Sequence, residues 1–146
     1  MIDKITNSIE NAVTGDSFQT EISILSKYDI KTISDKKLWV FDWKSENRDP
    51  KKEVFKLTII HNPNVIQGLI SIEDKNDHVF MHLVESASFN KGKDKTYLGV
   101  PGNLVAFACK KAFQLVMKAI LHSSRNQNLL NITKRHLEQF TSVAEP

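Results

Sequence analysis

Residues 79–113 read VFMHLVESASFNKGKDKTYLGVPGNLVAFACKKAF, and this stretch decides the fold that the sequence predicts. Its first part is typical of a β-strand, its middle is a basic loop with glycines, and its last part predicts a helix. Backbone N–H groups in such a loop and in the first helical turn lack helical partners, and the helix dipole favours an anion there. Gly99 and Gly102 allow a ligand to approach the backbone closely. The sequence therefore predicts a site for a phosphorylated ligand, with positive charge from three loop lysines, Lys91, Lys93 and Lys95.

Length and composition indicate one globular domain over residues 1–146. Of the 146 residues, 40% are hydrophobic and 25% are charged, so the chain can bury a core without disulfides or a metal. The single cysteine, Cys109, provides no disulfide framework and is expected in the core. No signal peptide or membrane-spanning run is recognisable, so a cytoplasmic location is expected. A net charge of +3 is too small to indicate nucleic-acid binding by itself.

The first part of the chain predicts alternating helices and strands. Ile2, Ile5, Ile9 and Val13 recur at helical spacing and predict a short helix that ends at Gly15. The next segments are predicted as a strand over 18–25, a helix over 28–38, a strand-like run through Trp39, Phe41 and Trp43, and a polar loop over 45–53.

Three strands joined by tight polar turns follow, over residues 53–61, 65–73 and 78–87. Their β-branched and aromatic residues and their short connections predict an antiparallel meander, across which the helix after residue 103 packs. The predicted fold class is α+β, with a mixed, mainly antiparallel central sheet flanked by helices.

The order of these elements resembles a known family. Helix, strand, helix, three-strand meander, glycine loop and helix are similar to the first two-thirds of the GNAT N-acetyltransferase superfamily, especially its small bacterial GNAT-like proteins. The resemblance covers residues 15–115 and is carried by IQGLIS at 66–71, LVESA at 83–87 and YLGVPGNLVAFA at 97–108. It implies a GNAT-like acyl-CoA N-acyltransferase fold, with acetyl-CoA as co-substrate and no metal.

The resemblance also implies where acetyl-CoA would bind. In that superfamily the pantetheine arm pairs with the central strand, and the pyrophosphate sits on the following loop and helix start. Carried over by position, Leu83, Val84 and Glu85 would line the pantetheine. The phosphate side would be formed by Gly99, Val100, Gly102, Asn103 and Leu104.

The loop departs from the family pattern Arg/Gln-x-x-Gly-x-Gly/Ala. Aligned on Gly102, Tyr97 takes the first position of the pattern and Val100 takes the place of its first glycine. Pro101 also removes one N–H donor. The alternative interpretation is that Gly99 and Gly102 only shape a strand-to-helix turn.

Acetyl transfer to an amine needs a base for the amine proton, and Glu85 is the candidate. Its apolar neighbours predict desolvation and a pKa raised towards neutrality. The alternative is a solvated carboxylate at the strand end. Strand alternation predicts that His82 lies on the opposite face from Glu85, as a packed or surface histidine. His78 and His82 have no third ligand nearby in sequence, so no metal site is predicted.

The chain changes in character near residue 115. Residues 110–146 carry 6 Lys/Arg and 2 Asp/Glu, whereas residues 1–109 carry 14 and 15. The closing strands and tyrosine-bearing helix of the superfamily are not recognisable in residues 115–146. Restoring one base before the Val116 codon allows a GNAT-like continuation to be encoded, so a frameshift is the hypothesis for this tail. It would remove the general acid and leave an unpaired sheet edge that favours association, including a homodimer. Apolar positions still predict helix over 116–140.

Three functions follow as hypotheses. The first is an acetyl-CoA-dependent N-acetyltransferase for an unidentified amine, either active or a truncated, inactive relative. The second is a non-catalytic CoA-binding or protein-interaction module. The third is a nucleic-acid binder that uses the tail cations Lys118, Arg125, Lys134 and Arg135. It ranks last because it depends only on the atypical tail, and no membrane partner is expected.

Overall fold

One antiparallel β-sheet organises the part of the chain that the structure, a computed structural model, describes: residues 8–122 and Arg135. Its six strands are β1 Ser8–Asn11, β2 Ser17–Ile24, β3 Glu53–Ile59, β4 Gly68–Asp74, β5 Val79–Ser86 and β6 Tyr97–Leu98. They lie in the order β5-β4-β3-β2-β1-β6, and every pairing between them is antiparallel. The α-helices of the described residues are α1 Ile30–Ile33, α2 Trp43–Arg48 and α3 Val100–His122. The predicted α+β class is confirmed, and the sheet, predicted as mixed and mainly antiparallel, is antiparallel in all of its described pairings.

The β3–β5 meander forms where the sequence predicts it. Its strands are rich in β-branched and aromatic residues, and its turns are polar. Asn76, in the turn between β4 and β5, has a φ of 73°, a left-handed conformation that asparagine tolerates well. The register places Gly68 opposite both Leu57 of β3 and Ser86 of β5. The carboxyl end of β5 therefore lies beside the start of β4.

Side-chain alternation gives the sheet two buried faces. The face covered by α3 has a core of nine buried residues: Ile9, Phe55, Leu57, Ile59, Ile70, Ile72, Val100, Leu104 and Ala108. The opposite face is covered by α1, α2 and the loop between them. Its core contains Leu25, Ile33, Trp39, Trp43, Val54, Ile66, Leu69 and Ala87. The described chain is thus a three-layer arrangement of helix, sheet and helices.

The predicted helix that ends at Gly15 is wrong over the residues that the structure describes. Ser8–Asn11 form strand β1, which pairs with both β2 and β6. Ile9 is 1% exposed and belongs to the core under α3. Two flanking strands, the neighbouring β2 and the distant β6, satisfy the backbone of β1, so strand pairing outweighs the helical spacing of its apolar residues. Ile2 and Ile5 lie outside the described residues.

The segment from Trp39 to Trp43 is not a strand. Trp39 and Trp43 are buried four residues apart while Phe41 between them is exposed, which is a helical rather than an extended pattern. Helix α2 begins at Trp43, because the Asp42 side chain accepts a hydrogen bond from the Ser45 N–H at 3.1 Å and caps it. The predicted polar loop is therefore partly helical. The helix predicted over 28–38 is shorter, with a 3₁₀ turn at Lys27–Asp29 and α1 over Ile30–Ile33.

The helix predicted after the glycine loop is confirmed as α3, which runs to His122. Residues 123–134 and 136–146 are outside the described part, so the frameshift hypothesis, the missing closing strands and most of the predicted tail helix fall outside it. Of the tail cations, Lys118 and Arg135 are described. In the described residues, no helix is both long enough and apolar enough to cross a membrane.

Candidate functional site

Gly68 lies at the start of β4, opposite the carboxyl end of β5, and it is in direct contact with the start of α3. A Cβ built on Gly68 would lie 2.6 Å from Val100 Cγ1 and 2.9 Å from Leu104 Cδ1. Only glycine at this position lets the first turn of α3 sit this close to the sheet. Val100 and Leu104 are fully buried. Both were predicted to hold phosphate, which stays a prediction, and their side chains anchor the helix to the core.

The loop from residue 87 to residue 99 is held by one buried asparagine. Asn90 Nδ2 donates to the Gln67 main-chain oxygen at 3.1 Å and to Gln67 Oε1 at 2.9 Å. Asn90 Oδ1 accepts from the Tyr97 N–H at 3.1 Å. Tyr97 then enters β6, which pairs with β1. The loop therefore arrives at α3 in a fixed orientation.

Gly99 and Gly102 lie at the mouth of a small cavity. Gly99 has a φ of 93°, a conformation that favours glycine. The cavity has a volume of about 180 Å³ and is bounded by β1, the start of β2 and the first turn of α3. Glu10 also lines it and places negative charge there. The volume of the cavity suits a phosphate group, but the negative charge of Glu10 would repel the phosphate.

The first turn of α3 has fewer anion donors than a full helix start. Pro101 has no N–H, and the Asn103 N–H donates to the Gly99 carbonyl at 3.0 Å. The Asn103 side chain is buried, and its Nδ2 donates to the Ser8 carbonyl at 2.8 Å and to the Gly99 carbonyl at 2.7 Å. Asn103 therefore joins α3 to β1 and does not face the cavity as a free ligand.

Glu85 is buried in a cluster of hydrogen-bond donors. Its carboxylate accepts from the Val40 N–H at 2.6 Å, the Phe41 N–H at 3.2 Å and the Trp43 indole at 2.7 Å. The Lys91 ammonium completes the cluster at 2.7 Å. We call these five residues the Glu85 cluster. It joins β5 to the segment before α2 and to the loop after β5.

The predicted rise in the pKa of Glu85 is wrong. Burial is the largest single influence on this carboxyl group and raises its pKa. The hydrogen bonds from Lys91, Val40, Trp43 and Phe41 together outweigh burial and lower the pKa below its ordinary value. Glu85 is therefore a bound carboxylate and not the solvated group of the alternative interpretation. Its proposed role as a base requires release from these donors.

His82 is not on the face that simple alternation predicts. The pairing of β4 with β5 shifts between Ser71 and Ile72, so that Ser71 faces Leu83 while Ile72 faces Met81. This irregularity leaves His82 without an opposite residue. His82 Nε2 lies 2.8 Å from a carboxylate oxygen of Glu73.

Glu73 alternates with Ser71 and Leu69 on β4, and Leu69 lies opposite Glu85. His82 and Glu85 therefore share one face of the sheet. Leu83 and Val84, the two predicted pantetheine contacts, are half-buried and pack against opposite cores. Among the described residues β5 pairs only with β4, so it is an edge strand with no neighbouring strand on its outer side.

The loop lysines differ in their surroundings. The charge of Lys91 is matched by Glu85, so Lys91 is not available to a phosphate without exchange. Lys93 is exposed and Lys95 is half-buried. No sequence pattern indicates the Val40, Phe41 and Trp43 donors, because they lie more than forty residues from Glu85 and meet it only through the tertiary fold.

Within residues 8–122, no group of three His, Cys, Asp or Glu side chains is arranged to hold a metal ion. No family model, curated protein or solved structure matches this chain.

Proposed function

We propose that the chain is a GNAT-like protein that binds acetyl-CoA and transfers its acetyl group to an amine. The observation that carries this proposal is the close packing of the first turn of α3 on Gly68 of β4, opposite the carboxyl end of the edge strand β5. A strand edge offers hydrogen bonds to an amide-bearing arm, and a helix start offers partial positive charge to phosphate.

The proposed contacts follow the chain. Pantetheine would run along the β5 edge near Leu83 and Val84, and a phosphate would sit at Gly99 and Gly102. When bound, acetyl-CoA supplies the activated acetyl group and the thiolate leaving group. Glu85 would accept the amine proton once it is released from its donors.

A specific observation favours a second candidate, a non-catalytic CoA-binding or interaction module. Glu85 has four donors and a lowered pKa, which is an unfavourable starting point for a general base at neutral pH. The Glu85→Gln variant distinguishes the two candidates. If it stays folded, it loses acetyl transfer under the first and leaves coenzyme binding unchanged under both.

Calorimetric titration with acetyl-CoA tests the proposal. We expect saturable binding by the wild-type chain and none by Gly102→Asp, because the added carboxylate occupies the proposed phosphate position. Aspartate in a first helical turn favours the helix, so the variant should remain folded.

The matched control is Asn76→Asp, which adds the same charge at the exposed turn at the far end of β5. Its affinity should equal that of the wild type. No binding by the folded wild type would overturn the proposal. Equal binding by Gly102→Asp would move the coenzyme away from this loop.

A further inference from the structure

We propose that a groove between α3 and β2 binds a small organic anion with an aromatic body. This α3–β2 groove has a volume of about 470 Å³ and is lined by Thr20 and Ile22 from β2 and by Ala106, Phe107, Lys110 and Lys111 from α3, with Gln114 at one end. The site lies apart from the loop at Gly99, and it does not depend on acetyl transfer.

The groove exists because α3 does not cover the sheet evenly. The helix packs mainly on β5 and β4, and its first turns also contact β1. The α3-facing side of β2 therefore stays partly open, and the groove runs between β2 and the helix. Its volume falls within the range of about 300–1,000 Å³ that is usual for small-molecule sites.

One wall of the groove is aromatic and carries a positioned cation. The rings of Phe55 and Phe107 are 4.7 Å apart between centroids. The Lys111 ammonium lies 5.5 Å from the centroid of each ring. These cation–π contacts fix the position of the ammonium without neutralising its charge.

The charge of the groove has no counterpart within the described chain. Neither Lys110 nor Lys111 forms an ion pair with the residues that the structure describes. Acidic side chains, Glu53 and Asp74, line a separate cavity of about 210 Å³ that shares Lys111 with the groove. Neither carboxylate lines the groove itself, so the groove lining carries two positive charges and no negative charge.

The remaining lining suits the body of such a ligand. Ile22 and Phe107 offer apolar contact, and the small side chain of Ala106 leaves room between them. The Thr20 hydroxyl, 3.4 Å from Asn103 Oδ1, offers a polar contact at one end. A planar ring can stack on Phe107 while its acidic group meets Lys110 and Lys111. An aromatic sulfonate or carboxylate meets all of these conditions.

The test is a titration with anilinonaphthalene sulfonate, an aromatic anion whose fluorescence rises on binding, together with amide NMR shifts. We expect shifts centred on Thr20 and Ala106. Lys111→Met keeps the aliphatic stem and removes the charge, so affinity should fall about tenfold. Ala106→Phe places a large side chain in the groove and should abolish binding of the probe.

Lys36→Met is the matched control, because it removes an exposed lysine charge remote from the groove, beside α1. It should bind the probe like the wild type. Shifts centred elsewhere, or wild-type affinity in Lys111→Met and Ala106→Phe, would overturn the proposal. Displacement of the probe by acetyl-CoA would also overturn it, because the groove would then be part of the coenzyme site. That result leaves the acetyl-CoA proposal standing, so the two proposals fail separately.

Discussion

Glu85 is a buried carboxylate that accepts hydrogen bonds from four donors. Its place near the end of a predicted strand was sufficient to select it from the sequence as a candidate. Its environment could not be predicted, because three of its donors come from the segment 40–43, which was expected to be a strand. Because this segment was predicted as a strand, Trp43 was not predicted as a hydrogen-bond partner of Glu85. A local pattern therefore located the carboxylate, and tertiary contacts determined its chemistry.

Glu85→Gln should destabilise the fold. A glutamine amide is neutral and has one acceptor oxygen, so it cannot pair with the Lys91 ammonium and also accept from all of the N–H donors. We therefore expect a loss of about 2–3 kcal/mol in the free energy of unfolding. Urea denaturation measures it. The control is Glu21→Gln on the exposed side of β2, which should change stability by less than about 0.5 kcal/mol. Equal stability of both variants would show that the Glu85 cluster does not hold the fold.

At the level of elements, the sequence predicted those that are determined locally. The meander has alternating strands and short polar turns, so its strands are found within a few residues of their predicted bounds. The helix after the glycine loop was predicted, but α3 begins at Val100, four residues before the predicted start at Leu104. The segment 8–11 was not predicted as a strand, because its apolar residues fit a helical spacing and one of its two partners, β6, lies far along the chain. The phosphate site stays a prediction, and the side chains of Val100, Asn103 and Leu104, which were assigned to it, also join α3 to the sheet.

Gly68→Ala should be costly because its Cβ would collide with the first turn of α3. Overpacking of this kind typically costs about 1–3 kcal/mol. Val100→Ala removes the nearest colliding atom, so Gly68→Ala should cost less in that background than in the wild type. A double-mutant cycle by chemical denaturation measures the difference. Additive effects would contradict the close contact between β4 and α3.

For the whole molecule, acid should weaken the fold through specific carboxylates. Burial raises the pKa of Asp29, but its bonds from Lys56 and Ser26 outweigh burial and lower it, as occurs at Glu85. A carboxyl group whose pKa is lowered in the folded state stabilises the fold fully at pH values above its ordinary pKa. This stabilisation is lost as the pH falls through the pKa of the folded state. The ordinary values are 3.8 for Asp29 and 4.5 for Glu85.

The contribution of these carboxylates to Tm should therefore be constant near neutral pH and should decline below about pH 4.5. Calorimetry across the pH range measures the decline. It should be shallower in Glu85→Gln, which has already lost one of the two titrating groups. An identical acid slope in that variant would show that Glu85 does not contribute.

The pairing of β1 with β6 has a consequence for the order of assembly. It joins residues 10–11 to residues 97–98, so the two strands meet only after nearly the whole described chain has been synthesised. Closing so long a loop costs conformational entropy, so this contact is expected to form late in folding. The β3–β5 meander can form earlier, because its strands are neighbours in sequence. During synthesis on a ribosome, the strands of the meander can therefore pair while α3 is still inside the exit tunnel. Strand β1 must wait with one edge open until β6 emerges.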